Sequence, residues 1–253
     1  MSAAGLYTGT ERRAQPAPGI TRRIRRCDPG PSIGASGQDV DVTPPTPARL
    51  LTVNVGQPRP VTAGRHIVDT AIWKTPVNGP VQVRGVNIDG DSQADRSVHG
   101  GPDKAVYAYS IEDIRRWETE LGRQLGNAPF GENLSTEGAD VSGALVGQRW
   151  RIGTTLLEVA QPRLPCFKLG IRLGNPGFVR QFAQASRPGA YLRIIEEGVI
   201  EAGDEIAVTH QPDHDVTMRL VFDAILNDRT LIPHALQAPE LPGQLREWLT
   251  RIG

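Results

Sequence analysis

The chain has 253 residues, a formal net charge of +0 and a hydrophobic content of 38%. The balanced charge excludes the bulk affinity for nucleic acids or anionic membranes that a strongly basic chain has, and no apolar run approaches the roughly 18–20 residues of a membrane span. The 28 glycines and 21 prolines, with few aromatic residues, favour many short strands and turns over long helices.

Residues 1–47 differ in composition from the rest of the chain. They are rich in Gly, Pro, Ser, Ala and Arg and show no apolar periodicity. Such a segment buries too little apolar surface to offset its ordering entropy, so we predict a disordered leader. A basic cluster at residues 22–26 leaves a second interpretation open, an arm that binds an anionic partner.

The two cysteines, Cys27 and Cys166, are too few for a disulfide framework. Cys27 falls in the predicted leader, so we expect no bridge between them. The arginines near the N-terminus precede no apolar segment, and we therefore expect no secretory signal. These features predict a protein of the reducing cytoplasm.

Residues 48–210 contain short strand-like runs separated by glycine-rich turns, which predict a mainly β domain. The predicted strands are residues 50–55, 81–83, 105–109, 149–152, 155–159, 190–195 and 205–208. Gly153 and Thr154 separate two of them as in a hairpin. This spacing of strands favours an antiparallel or mixed barrel, in an α+β fold because helices interrupt it.

Helices are predicted at three places. Ser110 is a candidate N-cap for a helix that runs to about Leu125. An Asn-Pro pair at residues 175–176 opens a short helix that reaches Phe182. Residues 211–253 carry helical apolar spacing and predict a C-terminal segment of three short helices.

Cys166 is the first candidate functional residue. Pro165 precedes it and prevents a regular ladder hydrogen bond, so the strand before it should end. Arg163 and Lys168 lie on either side, and cations beside a thiol stabilise the thiolate, which attacks electrophiles and binds metals. A buried cysteine that acts as a small hydrophobe is the alternative.

Two glycine-containing turns are candidate binding loops. Gly100 and Gly101 allow backbone N–H groups to approach an anion, and His99 and Lys104 add side-chain donors. Residues 131–133 offer a carboxylate and an amide that match the donor and acceptor edge of a heterocycle. An ordinary tight turn is the alternative for each. Rossmann, P-loop, HExxH and CxxC motifs are absent from the sequence.

The order of these motifs resembles the MOSC family, named for the C-terminal domain of molybdenum cofactor sulfurases. The likeness is closer to the stand-alone bacterial YiiM-like branch, which also carries a C-terminal three-helix segment. The matching stretches are residues 74–77, 90–95, 99–106, 130–134, 161–166 and 189–193. The likeness covers about residues 49–208, and residues 1–47 have no counterpart in it.

The resemblance implies a MOSC-type β-barrel with a basic cleft for molybdenum cofactor, a pterin that carries a phosphate and a dithiolene-held metal. It implies that Cys166 handles metal or sulfur, which agrees with the preference of soft thiolates for soft metal–sulfur centres. Asp91, Asp95 and Asp103 are expected to form turns or to pair with cations. The residues expected to bind the cofactor are Lys74, His99, Gly100, Gly101, Lys104, Gly131, Glu132, Asn133, Arg163, Lys168 and Arg193.

Three functions are compatible with this resemblance. The first is a molybdenum-dependent oxidoreductase that reduces small N-hydroxylated compounds, with electrons from a separate donor protein because no flavin, iron–sulfur or nicotinamide motif is visible. The second is a sulfur carrier in which Cys166 receives a persulfide from a desulfurase. Pyridoxal phosphate, associated with this family, belongs to the desulfurase domain, which this chain is too short to contain. The third is a non-catalytic module that stores or delivers the cofactor.

Overall fold

The computed structural model describes residues 47–93 and 100–253, so nearly all of the predicted leader, together with His99 and Asp95, lies outside the described residues. The described part is mainly sheet with six α-helices, which confirms the predicted α+β class. No helix in these ranges is both long enough and apolar enough to cross a membrane.

Thirteen short strands build the described part. They are β1 Arg49–Val55, β2 Arg59–Ala63, β3 His66–Thr70, β4 Thr75–Val77, β5 Val81–Arg84, β6 Asn87–Ile88, β7 Val106–Ser110, β8 Leu134–Glu137, β9 Arg149–Ile152, β10 Thr155–Gln161, β11 Ala190–Glu196, β12 Gly198–Ile200 and β13 Ile206–His210. Eight form one sheet in the order β13-β9-β10-β11-β7-β8-β1-β4, in which β7 and β8 are parallel and the other pairs antiparallel. Strands β12-β5-β6 form a second sheet, and β2-β3 form a separate hairpin.

The predicted barrel is not closed, although the main class agrees. Strand β4 pairs with residues 53–55 of β1. Only the first residues of β1 therefore remain available on that edge to pair with β13, the strand at the other end of the sheet. There Arg49 and Glu205 form an isolated bridge, and Ile206 N donates to Ala48 O at 2.8 Å. The two ends of the sheet therefore approach each other without forming a continuous ladder.

The helices follow the strands closely in sequence. They are α1 Ile111–Leu121, α2 Phe167–Arg172, α3 Phe178–Ala185, α4 Met218–Leu226, α5 Ile232–Ala235 and α6 Gly243–Ile252, with 3-10 turns at Pro102–Lys104 and Arg229–Leu231. The last three confirm the predicted C-terminal three-helix segment. Ser110 caps α1 as predicted, because its side chain accepts from Asp113 N at 3.2 Å. The helix ends at Leu121 rather than near Leu125, because Gly122 adopts a left-handed conformation with φ 64°.

Two clusters of buried side chains hold the elements together. The larger, mostly aliphatic one includes residues of the main sheet and of helices α4 and α6. The smaller one is mainly aromatic, and within it the rings of Tyr109 and Phe130 lie 4.4 Å apart while those of Trp117 and Phe182 stack at 6.1 Å. Each such pair adds about 0.5–1.5 kcal/mol beyond its buried area. The aromatic cluster thereby fixes β7 and the turn at Phe130, which both border the site described next.

Candidate functional site

One cleft gathers most of the residues that the sequence singled out, and we name it the Cys166 cleft. It encloses about 620 Å³ of empty space, including solvent at its mouth. Its lining consists of Thr70, Ala71, Ile72, Lys74, Asp91, Ser92, Gln93, Lys104, Tyr107, Phe130, Gly131, Asn133, Arg163, Cys166, Lys168 and Tyr191. Four of these side chains are cations, so a thiol and four positive charges share one cavity.

Cys166 lies at the N-cap position of helix α2, after a short loop that follows β10. The strand ends at Gln161, as Pro165 predicted, but the helix that begins at Phe167 was not predicted. Cys166 has extended backbone angles (φ −131°, ψ 168°), and its side chain makes no capping hydrogen bond. The free thiol is half-buried and lines the cleft, so the interpretation of Cys166 as a core hydrophobe does not fit.

Arg163 places a buried positive charge at the bottom of the cleft. Its side chain is 7% exposed, Nη1 donates to Phe130 O, and the guanidinium lies 5.2 Å from the centre of the Tyr107 ring. Burial acts to lower the pKa of Arg163, but Tyr107, Tyr191 and Cys166 outweigh it and raise the pKa, so the group stays cationic. Within the described part of the chain Arg163 forms no salt bridge, and an anionic ligand would supply the missing counter-charge.

Lys74 and Asn133 are held by one carboxylate, that of Asp91. Asp91 Oδ1 accepts from Lys74 Nζ and from Gly56 N at 2.8 Å, and Oδ2 accepts from Asn133 Nδ2 at 3.0 Å. Burial lowers the pKa of Lys74, while the charge of Asp91 opposes this effect. Asn133 Oδ1 also accepts from Tyr107 N at 3.1 Å. The expected pairing of Asp91 with a cation is therefore present, and Asp91 orients two residues of the cleft.

Glu132 occupies a different position from the one expected. Its side chain is fully buried and does not line the cleft; Oε2 accepts from Phe130 N at 3.0 Å and Oε1 accepts from Ser135 Oγ at 3.3 Å. Burial raises the pKa of Glu132 to about 7, against the opposing effect of these hydrogen bonds. Gly131, with φ 73°, does line the cleft, and a Cβ there would lie 2.8 Å from Ile72 Cγ1. Glu132 therefore braces the turn that presents Gly131 and Asn133.

The predicted glycine turn lies beside the cleft rather than in it. Gly100 and Gly101 line a neighbouring groove next to helix α6, and Lys104 borders both cavities. Burial lowers the pKa of Lys104, and the charge of Asp103 opposes this effect without reversing it. His99 falls outside the described residues.

Arg193 does not line the cleft, because other groups of the protein already bind its guanidinium. Nη1 donates to Glu158 Oε1 at 2.8 Å, and Nη2 lies 2.8 Å from Asp103 Oδ1 and 3.2 Å from Glu240 O. Asp103 therefore pairs with a cation, as expected. This network ties the 3-10 turn that carries Lys104 to strands β10 and β11.

The aromatic wall of the cleft was not predicted from the sequence. Tyr191 on β11 lies with its ring centre 5.1 Å from that of Tyr107, whose hydroxyl donates to Pro188 O at 2.8 Å. Burial raises the pKa of Tyr191, with a smaller effect in the same direction from Cys166 and an opposing one from Arg163, so its phenol stays protonated. The alternation along β11 could have indicated this residue, since Tyr191 lies between the buried Ala190 and Leu192.

Comparison with known proteins agrees with the resemblance inferred from the motifs. The profile of the MOSC domain matches residues 95–207. The uncharacterised protein YflK of Bacillus subtilis is 34% identical over 170 residues, which cover 67% of this chain and 77% of that protein. A Gibberella moniliformis protein named Reductase is 32% identical over 178 residues, 68% of this chain and 31% of that protein. The crystal structure of YiiM from Geobacillus stearothermophilus matches with a TM-score of 0.66 and 28% identity, over 81% of this chain and 98% of that one.

Proposed function

This chain belongs to the MOSC domain family, and we propose that it binds molybdenum cofactor in the Cys166 cleft and reduces small N-hydroxylated bases or amines. One observation carries the proposal: a half-buried thiol shares a cavity with four cations and a wall of tyrosine rings. A free thiol of this kind fits the reducing cytoplasm, which we propose as the compartment.

The donor set of the cleft suits this cofactor. Among the described residues no group of three or more His, Cys, Asp or Glu side chains could hold a metal ion. The cleft offers one soft thiol, which suits a metal that brings most of its own ligands. The buried guanidinium of Arg163 and the ammonium groups of Lys104 and Lys168 suit a phosphate or an oxo-anionic metal centre.

Each residue then has a defined task. Cys166 would ligate the metal, and Arg163 with Lys168 would bind the anionic parts of the cofactor. When bound, the cofactor would supply two-electron redox chemistry at its metal. Tyr191, held protonated, would donate a hydrogen bond to the hydroxyl oxygen of the substrate. The overall reaction takes up two electrons and two protons, breaks the N–O bond and releases the reduced compound and one water.

The electrons would come from a separate donor protein, because the sequence contains no flavin, iron–sulfur or nicotinamide motif. The name of the Gibberella moniliformis relative, Reductase, supports a redox role. The substrate itself would be a small molecule, because the cleft is a cavity rather than an extended surface.

The test is metal and pterin analysis of protein purified from a host that makes the cofactor, followed by an assay of N-hydroxylated bases with reduced methyl viologen as donor. We expect molybdenum and pterin in the protein, with turnover that depends on Cys166. A persulfide on Cys166 without molybdenum would favour the sulfur carrier instead. Tight pterin binding without turnover by any donor would favour the delivery module.

A further inference from the structure

A second depression, which we name the apolar groove, lies between the β2–β3 hairpin and helices α2 and α3. Its apolar lining includes Ala63, Val68, Phe167, Ile171, Pro176 and Val179. Phe167 is 52% exposed, although its aromatic side chain would gain from burial. Apolar side chains thus line a depression that stays open to solvent at Phe167.

Helix α2 places the apolar groove next to the Cys166 cleft. Phe167 lines the groove, whereas its two neighbours in sequence, Cys166 and Lys168, line the cleft. A molecule that covers Phe167 therefore lies beside the residue proposed to ligate the metal.

The segment that forms one side of the groove is rich in basic residues. Between Glu158 and Glu196 the sequence has no Asp or Glu but has six basic residues, Arg163, Lys168, Arg172, Arg180, Arg187 and Arg193. Lys168, Arg172 and Arg180 lie on the two helices that form one side of the groove. None of these three forms a salt bridge within the described ranges, whereas Arg187 and Arg193 bind Glu120, Glu158 and Asp103.

The hairpin adds positive charge on the opposite side. Arg65 lies at its exposed turn, between two residues that line the groove. Arg59 pairs with Thr70 on the neighbouring strand, and Thr70 shares a face with Val68 because strand residues two apart point to the same side. Arg59 therefore faces the same side of the hairpin as Val68. Its guanidinium lies 3.9 Å from the centre of the Trp73 ring instead of on a carboxylate. The acidic residue of the hairpin, Asp69, faces the other side.

We propose that the apolar groove is the docking surface of an acidic electron-carrier protein, whose carboxylates surround an apolar patch. The inference rests on the proposed function, which requires a separate donor. The carrier, a flavin or iron–sulfur protein, would be oxidised by two electrons in total, and these would reduce the N–O bond of the substrate with uptake of two protons. Charge complementarity selects an acidic partner, since none of the basic residues named on the two sides of the groove forms a salt bridge within the described ranges, except Arg187 and Arg193.

The experiment uses the full chain loaded with cofactor and an acidic flavodoxin, kept reduced by its NADPH-dependent reductase, as the probe donor. The test variant is R65E/R180E, which reverses one charge on each side of the groove. The control is R229E/R251E, which makes the same change in charge on exposed residues of the C-terminal helical segment. We expect the test variant to raise the KM for flavodoxin by about tenfold at low salt, because rim charges set the association rate. The control variant should have the same KM for flavodoxin as wild type. With methyl viologen as the donor, both variants should turn over as fast as wild type.

Several results would overturn the docking proposal. One is an equal KM for flavodoxin in the test variant and in wild type. Another is a tighter interaction after removal of residues 1–46, which would make that segment the occupant of the groove. A third is a dimer that R65E/R180E dissociates, which would make a second copy the occupant. Direct binding of flavodoxin to the same variants is also measured, and this measurement needs no turnover. Inactivity with methyl viologen would refute the proposed reductase function, whereas the binding measurement would still test the docking proposal.

Discussion

Replacing Asp91 by Asn tests whether one carboxylate organises the Cys166 cleft. The Lys74 and Asp91 side chains are only 8% and 2% exposed, and Asp91 also accepts from Gly56 N and Asn133 Nδ2. Removing one partner of a buried ion pair costs about 3–5 kcal/mol, because the other charge remains buried without compensation. We expect D91N to lose free energy of unfolding in this range.

The size of this loss should depend on pH in a direction set by Lys74. Burial lowers the pKa of Lys74 from 10.5, and Asp91 opposes that effect, so the folded-state pKa should fall further in D91N. Between the lowered pKa and 10.5 the unfolded chain binds more protons than the folded chain, and stability therefore rises with pH. The deficit of D91N relative to wild type should be largest at neutral pH and should shrink as the pH approaches the ordinary lysine pKa.

Urea unfolding of wild type, D91N and D89N at neutral and alkaline pH measures these differences. D89N is the matched control, since Asp89 pairs with Arg84 on the surface with side chains 42% and 64% exposed. It should lose far less stability than D91N, because an exposed ion pair is screened by solvent and contributes little. The double variant K74M/D91N should recover part of the loss, because it removes the orphaned charge. Equal losses in D91N and D89N, or a D91N deficit that grows with pH, would refute this account.

Three further predictions concern the same region. C166S should abolish turnover or sulfur loading while circular dichroism stays native, because the thiol lines a cleft rather than the core; full activity or gross unfolding would contradict this. R163A and K104A should each weaken pterin retention by about 1–3 kcal/mol, and added salt should reduce the loss more for Lys104, since Arg163 is buried and less screened; unchanged retention in both variants would place the anion elsewhere. Wild type should lose roughly 3 kcal/mol of stability as the pH rises from 4.5 to about 7, because burial raises the pKa of Glu132 across this window; E132Q should lack this slope in urea unfolding, and an identical slope would refute the assignment.

The strands that the sequence predicted are those with strong local signals. The β9–β10 hairpin has a Gly153 turn between two alternating runs, and it forms at the predicted residues. The β2–β3 hairpin was missed because Pro60 and exposed polar residues hide its alternation. Helix α2 was missed because it has only six residues and contains Gly170. Its buried Leu169 packs in the aromatic cluster, so tertiary contacts stabilise a helix that its own propensity would not.

The site was predictable in its residue types but not in its pairings. Cys166, Arg163 and Lys168 are neighbours in sequence, and their common position was therefore expected. Arg193 looked equally suitable, yet the register of the main sheet sets it opposite Glu158, and this carboxylate binds it. Cross-strand partners of this kind depend on strand order and register, which single-sequence patterns do not specify.

The distribution of charge explains how a chain of net charge zero can present a site for anions. Carboxylates bind the cations that stabilise the fold, as Glu158 and Asp103 do for Arg193 and Asp91 does for Lys74. Arg163 has no carboxylate partner among the described residues, since its hydrogen bond goes to a backbone carbonyl. The balance of charges in the composition therefore excludes a uniformly basic surface but not a local one. Arg163 and the thiol line the same cleft, and this supports placing the anionic ligand at Cys166.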